Sequence, residues 1–109
     1  MDIAPWLAQL RKGAAELVVL AIVSDGECYG LQILEKANAA GDIVSDGALY
    51  PLLNRLEKDG KIASHWVTDS GVHPRKYYRL TKEGAATFKA MLSAWITFRA
   101  AMSAVVEKP

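Results

Sequence analysis

The sequence carries one cysteine, Cys28, in 109 residues. An intramolecular disulfide is therefore excluded, and a cytoplasmic setting is the natural expectation. No histidine or cationic cluster adjoins Cys28 in sequence, so it reads as a small packed residue and not as a reactive thiol. There are only two histidines, His65 and His73. With Cys28 far off, no zinc-ligand spacing results, and no metal is expected. A glycine-rich phosphate loop, a nucleophile elbow and a paired-carboxylate arrangement are all missing, so nothing points to an enzyme or to a cofactor. Long apolar runs are missing too. The longest, residues 17–23, is far short of the ~20 residues needed to cross a bilayer, so no membrane partner is expected. The first residues lack a basic stretch followed by an apolar core and a cleavage site, so no signal peptide is expected. Repeats, linkers and low-complexity segments are also lacking.

What is present suits one folded domain. Hydrophobic residues make up 51% of the chain, which argues against disorder. A chain of this size buries roughly two thirds of the surface its unfolded form would expose. The formal net charge is only +1, but it is unevenly spread. Residues 54–82 hold seven cations (Arg55, Lys58, Lys61, Arg75, Lys76, Arg79 and Lys82) against three anions. Two readings are open: a solvated mixed-charge surface, or a surface for phosphate.

The most informative segment is residues 43–62. Leu49, Leu52, Leu53 and Leu56 fall at i, i+3, i+4 and i+7, one apolar stripe at helical period. Ser45 is placed to cap the first turn and Gly60 to end the last. Opposite the leucines lie Gly47, Pro51, Asn54 and Lys58, with Tyr50 and Arg55 on the flanks. Pro51 stands past the first turn and removes the hydrogen bond to the Gly47 carbonyl, which predicts a bend or a tolerated kink. A helix over residues 46–59 follows. Before it, the pattern predicts a loose arm at residues 1–6, a helix over 7–24 and a second over 29–40. The later half of the first helix is apolar nearly all round and calls for burial on more than one face. The second and third helices fit a helix-turn-helix with the third as reader.

Residues 62–67 and 76–80 read as a hairpin with a turn-rich tip at 68–74. Lys76, Tyr78 and Leu80 share one side of the second strand; Arg75, Tyr77 and Arg79 share the other. Lys76 is expected to extend its head past the packed face. Thr81 caps a last helix reaching to about residue 106, although Gly84 stands where a capping box wants Glu. Phe88, Met91, Leu92, Trp95, Met102 and Val106 form its apolar stripe. Such a helix is ~37 Å long, more than a domain this small can cover, and a symmetric dimer is the simplest solution. The expected fold is mainly α with a small β-hairpin: a winged helix-turn-helix over residues 1–80 and a C-terminal dimerisation helix over 81–109.

Four pieces of the chain carry a family resemblance. They are the apolar first helix, Tyr29-Gly30-Leu31-Gln32-Ile33, the run from Gly47 through Tyr50-Pro51-Leu52-Leu53-Asn54-Arg55-Leu56-Glu57-Lys58 to Gly60, and Arg75-Lys76-Tyr77-Tyr78-Arg79-Leu80-Thr81-Lys82-Glu83-Gly84. In this order and spacing they resemble the PadR family of bacterial transcriptional regulators. The resemblance implies a homodimeric winged-helix repressor on a pseudo-palindromic operator, of the short subclass with a single C-terminal dimerisation helix. By position it matches Tyr50 to the family's DNA-facing tyrosine and Arg75-Lys76 to its basic wing. Trp95 resembles the tryptophan that stacks on flat aromatic ligands at the dimer centre in multidrug-binding members.

From the residues themselves, Gly47, Tyr50, Pro51, Asn54 and Lys58 are the candidate reading face. Gly47 lets the backbone approach closely, and Asn54 is suited to an adenine edge. Lys58, Arg75 and Lys76 are candidate phosphate contacts. Tyr50 has a second reading, as a residue packed against the second helix. Trp95 is the candidate ligand contact, with Phe88, Met91, Leu92 and Phe98 beside it and Arg99 to pair with an acidic ligand such as a phenolic acid; ordinary dimer packing is its other reading. Leu10, Ala14, Leu17, Leu92, Trp95, Met102 and Val106 are the candidate dimer contacts. The expected partners are duplex DNA, a second copy and a small aromatic effector. A winged-helix adaptor that binds protein instead of DNA is the alternative.

Overall fold

The computed structural model describes residues 1–68 and 73–109. In chain order it has α1 (Ala4–Ser24), β1 (Cys28–Tyr29), α2 (Gly30–Ala37), α3 (Asp46–Lys58), β2 (Ile62–Val67), β3 (Arg75–Leu80) and α4 (Lys82–Val106). The strands form one antiparallel sheet in the order β1-β3-β2. This is the expected winged helix-turn-helix with a long last helix. The tip foreseen between the two hairpin strands falls largely on residues 69–72, outside the described ones.

Several boundaries differ from expectation, each for a physical reason. Residues 1–6 are not an arm throughout, since α1 starts at Ala4. The Asp2 carboxylate accepts a hydrogen bond from the Ala4 amide at 2.9 Å. Pro5 sits in the first turn, where a missing N–H costs nothing. The second helix stops at Ala37, three residues early, because Asn38 serves the turn that follows. Its Oδ1 accepts from the amides of Ile43 and Val44 (2.8 and 2.9 Å) and its Nδ2 donates to the Val44 carbonyl (2.7 Å). One side chain thus satisfies three backbone groups between α2 and α3. Strand β1 was not foreseen. It is two residues long, and its register, Cys28 opposite Tyr78 and Tyr29 opposite Tyr77, comes from pairing with distant β3.

The core gathers Val19, Leu20 and Val23 of α1, Cys28, Ile33 of α2, the four leucines of α3, Ile62 and Tyr78. In the apolar later half of α1, packing on α2, α4 and β3 buries Val19, Leu20 and Val23, while Leu17, Val18, Ala21 and Ile22 are half-buried. Its exposed apolar residues are instead at the start, Trp6 and Leu10. The molecule measures 57 × 33 × 22 Å. α4 joins the core only near its beginning, where Phe88 and Met91 pack against it. Its later apolar residues are open to solvent.

The start of α4 rests on one tight crossing. The Thr81 hydroxyl donates to the Gly60 carbonyl (2.6 Å) and accepts from the Gly84 amide (3.0 Å). Gly84 is buried, and a Cβ there would lie 1.8 Å from the Lys61 carbonyl oxygen. The capping-box Glu is therefore excluded by the close approach of α4 to the chain entering β2. We expect Gly84→Ala to lower stability by about 3 kcal/mol or more, read from the urea midpoint. At Gly47 an added Cβ meets nothing within 4 Å, so Gly47→Ala is the control, expected within about 0.5 kcal/mol of wild type. Equal midpoints for the two variants would refute the crossing.

Candidate nucleic-acid interface

The rotation of α3 is set by its leucines. Leu49, Leu53 and Leu56 are fully buried and Leu52 nearly so. The Ser45 side chain caps the first turn by accepting from the Ala48 amide. Pro51 lies inside the helix, which continues past it to Lys58. With the leucines inward, Gly47, Tyr50, Pro51, Asn54 and Lys58 all stand on the exposed side. These residues recur at helical spacing and form one continuous face.

Tyr50 combines both readings given above. It is 48% exposed, yet its ring lies against the start of α2. A Cβ on Gly30 would come within 2.7 Å of both its Cε1 and its hydroxyl. Gly30 is thus a functional candidate that sequence reasoning missed as such, though it stood in the quoted Tyr29-Gly30 motif. It leaves the space into which the Tyr50 ring leans.

The hairpin stands beside α3, tied to it by one carboxylate. Glu57 of α3 accepts a hydrogen bond from the Ser64 hydroxyl of β2 and pairs with Lys76 of β3 at 3.3 Å. The Ser64 hydroxyl first, and the Lys76 ammonium with it, hold the Glu57 carboxyl below its ordinary range. Lys76 therefore does not extend freely past the packed face. Its ammonium turns back to Glu57 and lies 5.6 Å from the centre of the Tyr78 ring. Arg75 is exposed, with its guanidinium 4.5 Å over the Tyr29 ring.

A second carboxylate ties α3 to α1. Glu16 pairs with Arg55 (3.1 Å) and Lys61 (2.9 Å), its side chain only 19% exposed. Burial alone would raise its carboxyl, but the hydrogen bonds from Lys61 and Arg55 outweigh that and lower it. The seven cations of residues 54–82 are accordingly not all available. Arg55, Lys61 and Lys76 are used in internal pairs, while Lys58, Arg75, Arg79 and Lys82 have no ion pair among the described residues.

This geometry is matched by known proteins. The family model for PadR-like transcriptional regulators matches residues 19–90. The chain belongs to the PadR-like family of transcriptional regulators. A transcriptional regulator of Mycobacterium tuberculosis is 34% identical over 80 residues, covering 73% of this chain and 74% of that protein. A PadR-like transcriptional regulator from Bacillus cereus superposes with a TM-score of 0.83 at 30% identity, covering 93% of this chain and 99% of that one. A PadR family regulator from Eggerthella lenta gives 0.82 at 29% identity, with 98% and 94% covered.

In this PadR-like chain the candidate effector residues do not enclose a site by themselves. Trp95 is 42% exposed, and Leu92, Phe98 and Arg99 are also exposed. Phe88 and Met91 are half-buried against the core. A groove of about 590 Å³ lies elsewhere, between α1 and α3, with Ala8, Ala15, Ile43, Ala48 and Pro51 in its walls. Of the candidate dimer contacts, Leu10, Leu92, Trp95, Met102 and Val106 are exposed, while Ala14 and Leu17 are half-buried. No described helix is long and apolar enough to cross a membrane.

Both carboxyls that tie α3 to its neighbours lie below the ordinary value of 4.5. A lowered folded-state pKa gives stability that is present above the unfolded value and is lost as pH falls through the folded one. The melting temperature should therefore fall with acidification below about pH 4.5. Glu16→Gln should cost about 1–2 kcal/mol at neutral pH and flatten that acid limb. An acid limb unchanged in Glu16→Gln would remove Glu16 from the account.

Proposed function

We propose that this chain is a DNA-binding repressor that acts as a homodimer on a pseudo-palindromic operator. The observation that carries the reading is the uncovered polar face of α3, with Arg75 on the adjoining strand, in a PadR-like chain. Gly47 has open space above its backbone, so a base edge can approach it. Asn54 offers the bidentate donor and acceptor that suits adenine in the major groove. Tyr50 and Lys58 lie on that face to position phosphates, and Arg75 adds an exposed cation from the other side of the hairpin. Lys76 reaches a phosphate by exchanging Glu57 for it.

The dimer is supported by apolar surface that one chain leaves uncovered. Trp6 and Leu10 of α1, and Leu92, Trp95, Ile96, Phe98, Met102, Val105 and Val106 of α4, are all exposed. A second copy placed across α4 and the start of α1 buries them. Two-fold symmetry then sets the two α3 helices one duplex turn apart, ~34 Å, to fit successive major grooves. The paired Trp95 indoles form a slot for a flat aromatic or phenolic effector, and Arg99 supplies a cation for a carboxylate. The effector releases DNA by favouring a separation of the two α3 helices that does not match the duplex.

A gel shift on the DNA upstream of the chain's own gene tests the reading. Arg75→Ala should weaken binding and reduce the salt slope by about one, and Arg75→Ala with Lys76→Ala by more. An unchanged affinity and slope would remove the hairpin from the mechanism, and no shift at all would favour the adaptor reading. For the effector, planar aromatic dyes and phenolic acids should quench tryptophan emission in wild type and not in Trp95→Ala. A ligand that quenches but leaves operator affinity unchanged would sink the release mechanism.

A further inference from the structure

The hairpin face turned toward α3 does not end where the core ends. In the ladder Ile62 stands opposite Leu80, Ser64 opposite Tyr78 and Trp66 opposite Lys76. These residues share one face, because strand residues alternate. That face looks toward α3, since Ser64 and Lys76 both reach Glu57 there. Ile62 and Tyr78 are buried, but Trp66, two residues beyond Ser64, is 67% exposed. The face therefore runs out past the core and ends in an open indole, with a cation directly across the ladder. Arg75, the neighbour of that cation in sequence, is exposed on the other face of the hairpin, over the Tyr29 ring, and Lys58 stands exposed at the end of α3.

We propose that Trp66 is a DNA contact, an apolar one, resting on the reading of α3 and the hairpin as a duplex-binding surface. Its ring packs on the deoxyribose edges lining the minor groove next to the major groove that α3 enters. Its indole N–H donates to a phosphate or to a groove acceptor. An indole suits such a place because one end is apolar and the other can stay wet. Minor-groove binders combine cations with apolar side chains in this way. The face that carries Trp66 is the one that Ser64 and Lys76 tie to Glu57 of α3, so the duplex read by α3 is the fitting occupant, in preference to an apolar protein surface. The fold gives Trp66 little packing of its own.

The test uses the full chain and a duplex that the wild-type protein selects from a randomised pool. Trp66→Ala should bind that duplex about tenfold more weakly, the loss typical of a central aromatic contact. Its salt slope should match wild type, because no phosphate-binding charge is lost. Trp66→Phe should recover most of the affinity. DNA should also change the tryptophan emission of wild type more than that of Trp66→Phe, which retains Trp6 and Trp95. Wild-type affinity in Trp66→Ala, alongside a reduced slope in Arg75→Ala, would overturn the proposal and leave the DNA-binding reading standing. A cooperative melting temperature lowered in both Trp66 variants would also overturn it, by assigning the indole to the fold. If the pool yields no enriched duplex, both readings fall.

Discussion

Everything on the functional side of this molecule depends on the burial of the α3 leucines. Leu49, Leu53 and Leu56 leave no side-chain surface to solvent. Each such side chain is worth about 1.5–3 kcal/mol of transfer free energy. A rotation of α3 by one residue would exchange that for exposed hydrocarbon and bury Asn54 or Lys58 without partners. The helix can therefore present only one face outward. The residues that do not face the core are free to vary with function, and here they are small, amide, phenolic or cationic. A rigid element bearing an adaptable face is what reading a groove requires, since base contacts demand fixed positions.

The leucines fix rotation and pack α3 into the common core, and two carboxylates add ionic ties to its neighbours. Glu16 reaches across from α1 to Arg55 on α3 and Lys61 before β2. Glu57 reaches from α3 to Ser64 and Lys76 on the two hairpin strands. Each carboxylate has two partners beyond its own stretch of chain, and each is partly screened from water. These pairs consume positive charge that a count along the chain assigns to nucleic acid. They also make Lys76 a conditional contact. In the proposed complex a phosphate recruits it by outcompeting Glu57, which links the approach of DNA to the tie between hairpin and α3.

The legible parts of this structure were those decided locally. The α3 stripe, its Ser45 cap and the Thr81 cap are properties of consecutive residues, and helical period exposes them. The alternation of residues 76–80 placed Tyr78 inward for the same reason. What stayed hidden was decided by distant partners. Strand β1 exists because Cys28 and Tyr29 find Tyr78 and Tyr77 some fifty residues on. Asn38 looks like an ordinary helix residue until its side chain meets the Ile43 and Val44 backbone. Gly84 reads as a defective cap until the Lys61 carbonyl is seen where a Cβ would go. Tyr50 presented a choice between packing and exposure that Gly30 resolves by allowing both. Trp66 sat on a short strand with no periodic signal to mark it, and only its ladder position relative to Ser64 and Lys76 gives it a direction.

The contrast between the two ends of α4 decides how a distant ligand can matter. Its first turns are locked, by Thr81, by the Gly84 crossing and by Phe88 and Met91 in the core. Its later turns carry exposed apolar residues that one chain does not cover. With its later turns partnered as proposed, a helix fixed at its other end acts as a lever. In the proposed dimer, a change in spacing around Trp95 moves the whole winged-helix body of each subunit as a unit. The Gly84 crossing packs the start of α4 directly on the chain leading into the hairpin. In the proposed mechanism, contact of α4 with α1, and of Glu16 on α1 with Arg55 on α3, passes the same displacement to α3. Under this proposal, selection between two spacings at the dimer centre is selection between two separations of α3, and the affinity for a duplex follows from how well either separation matches its pitch.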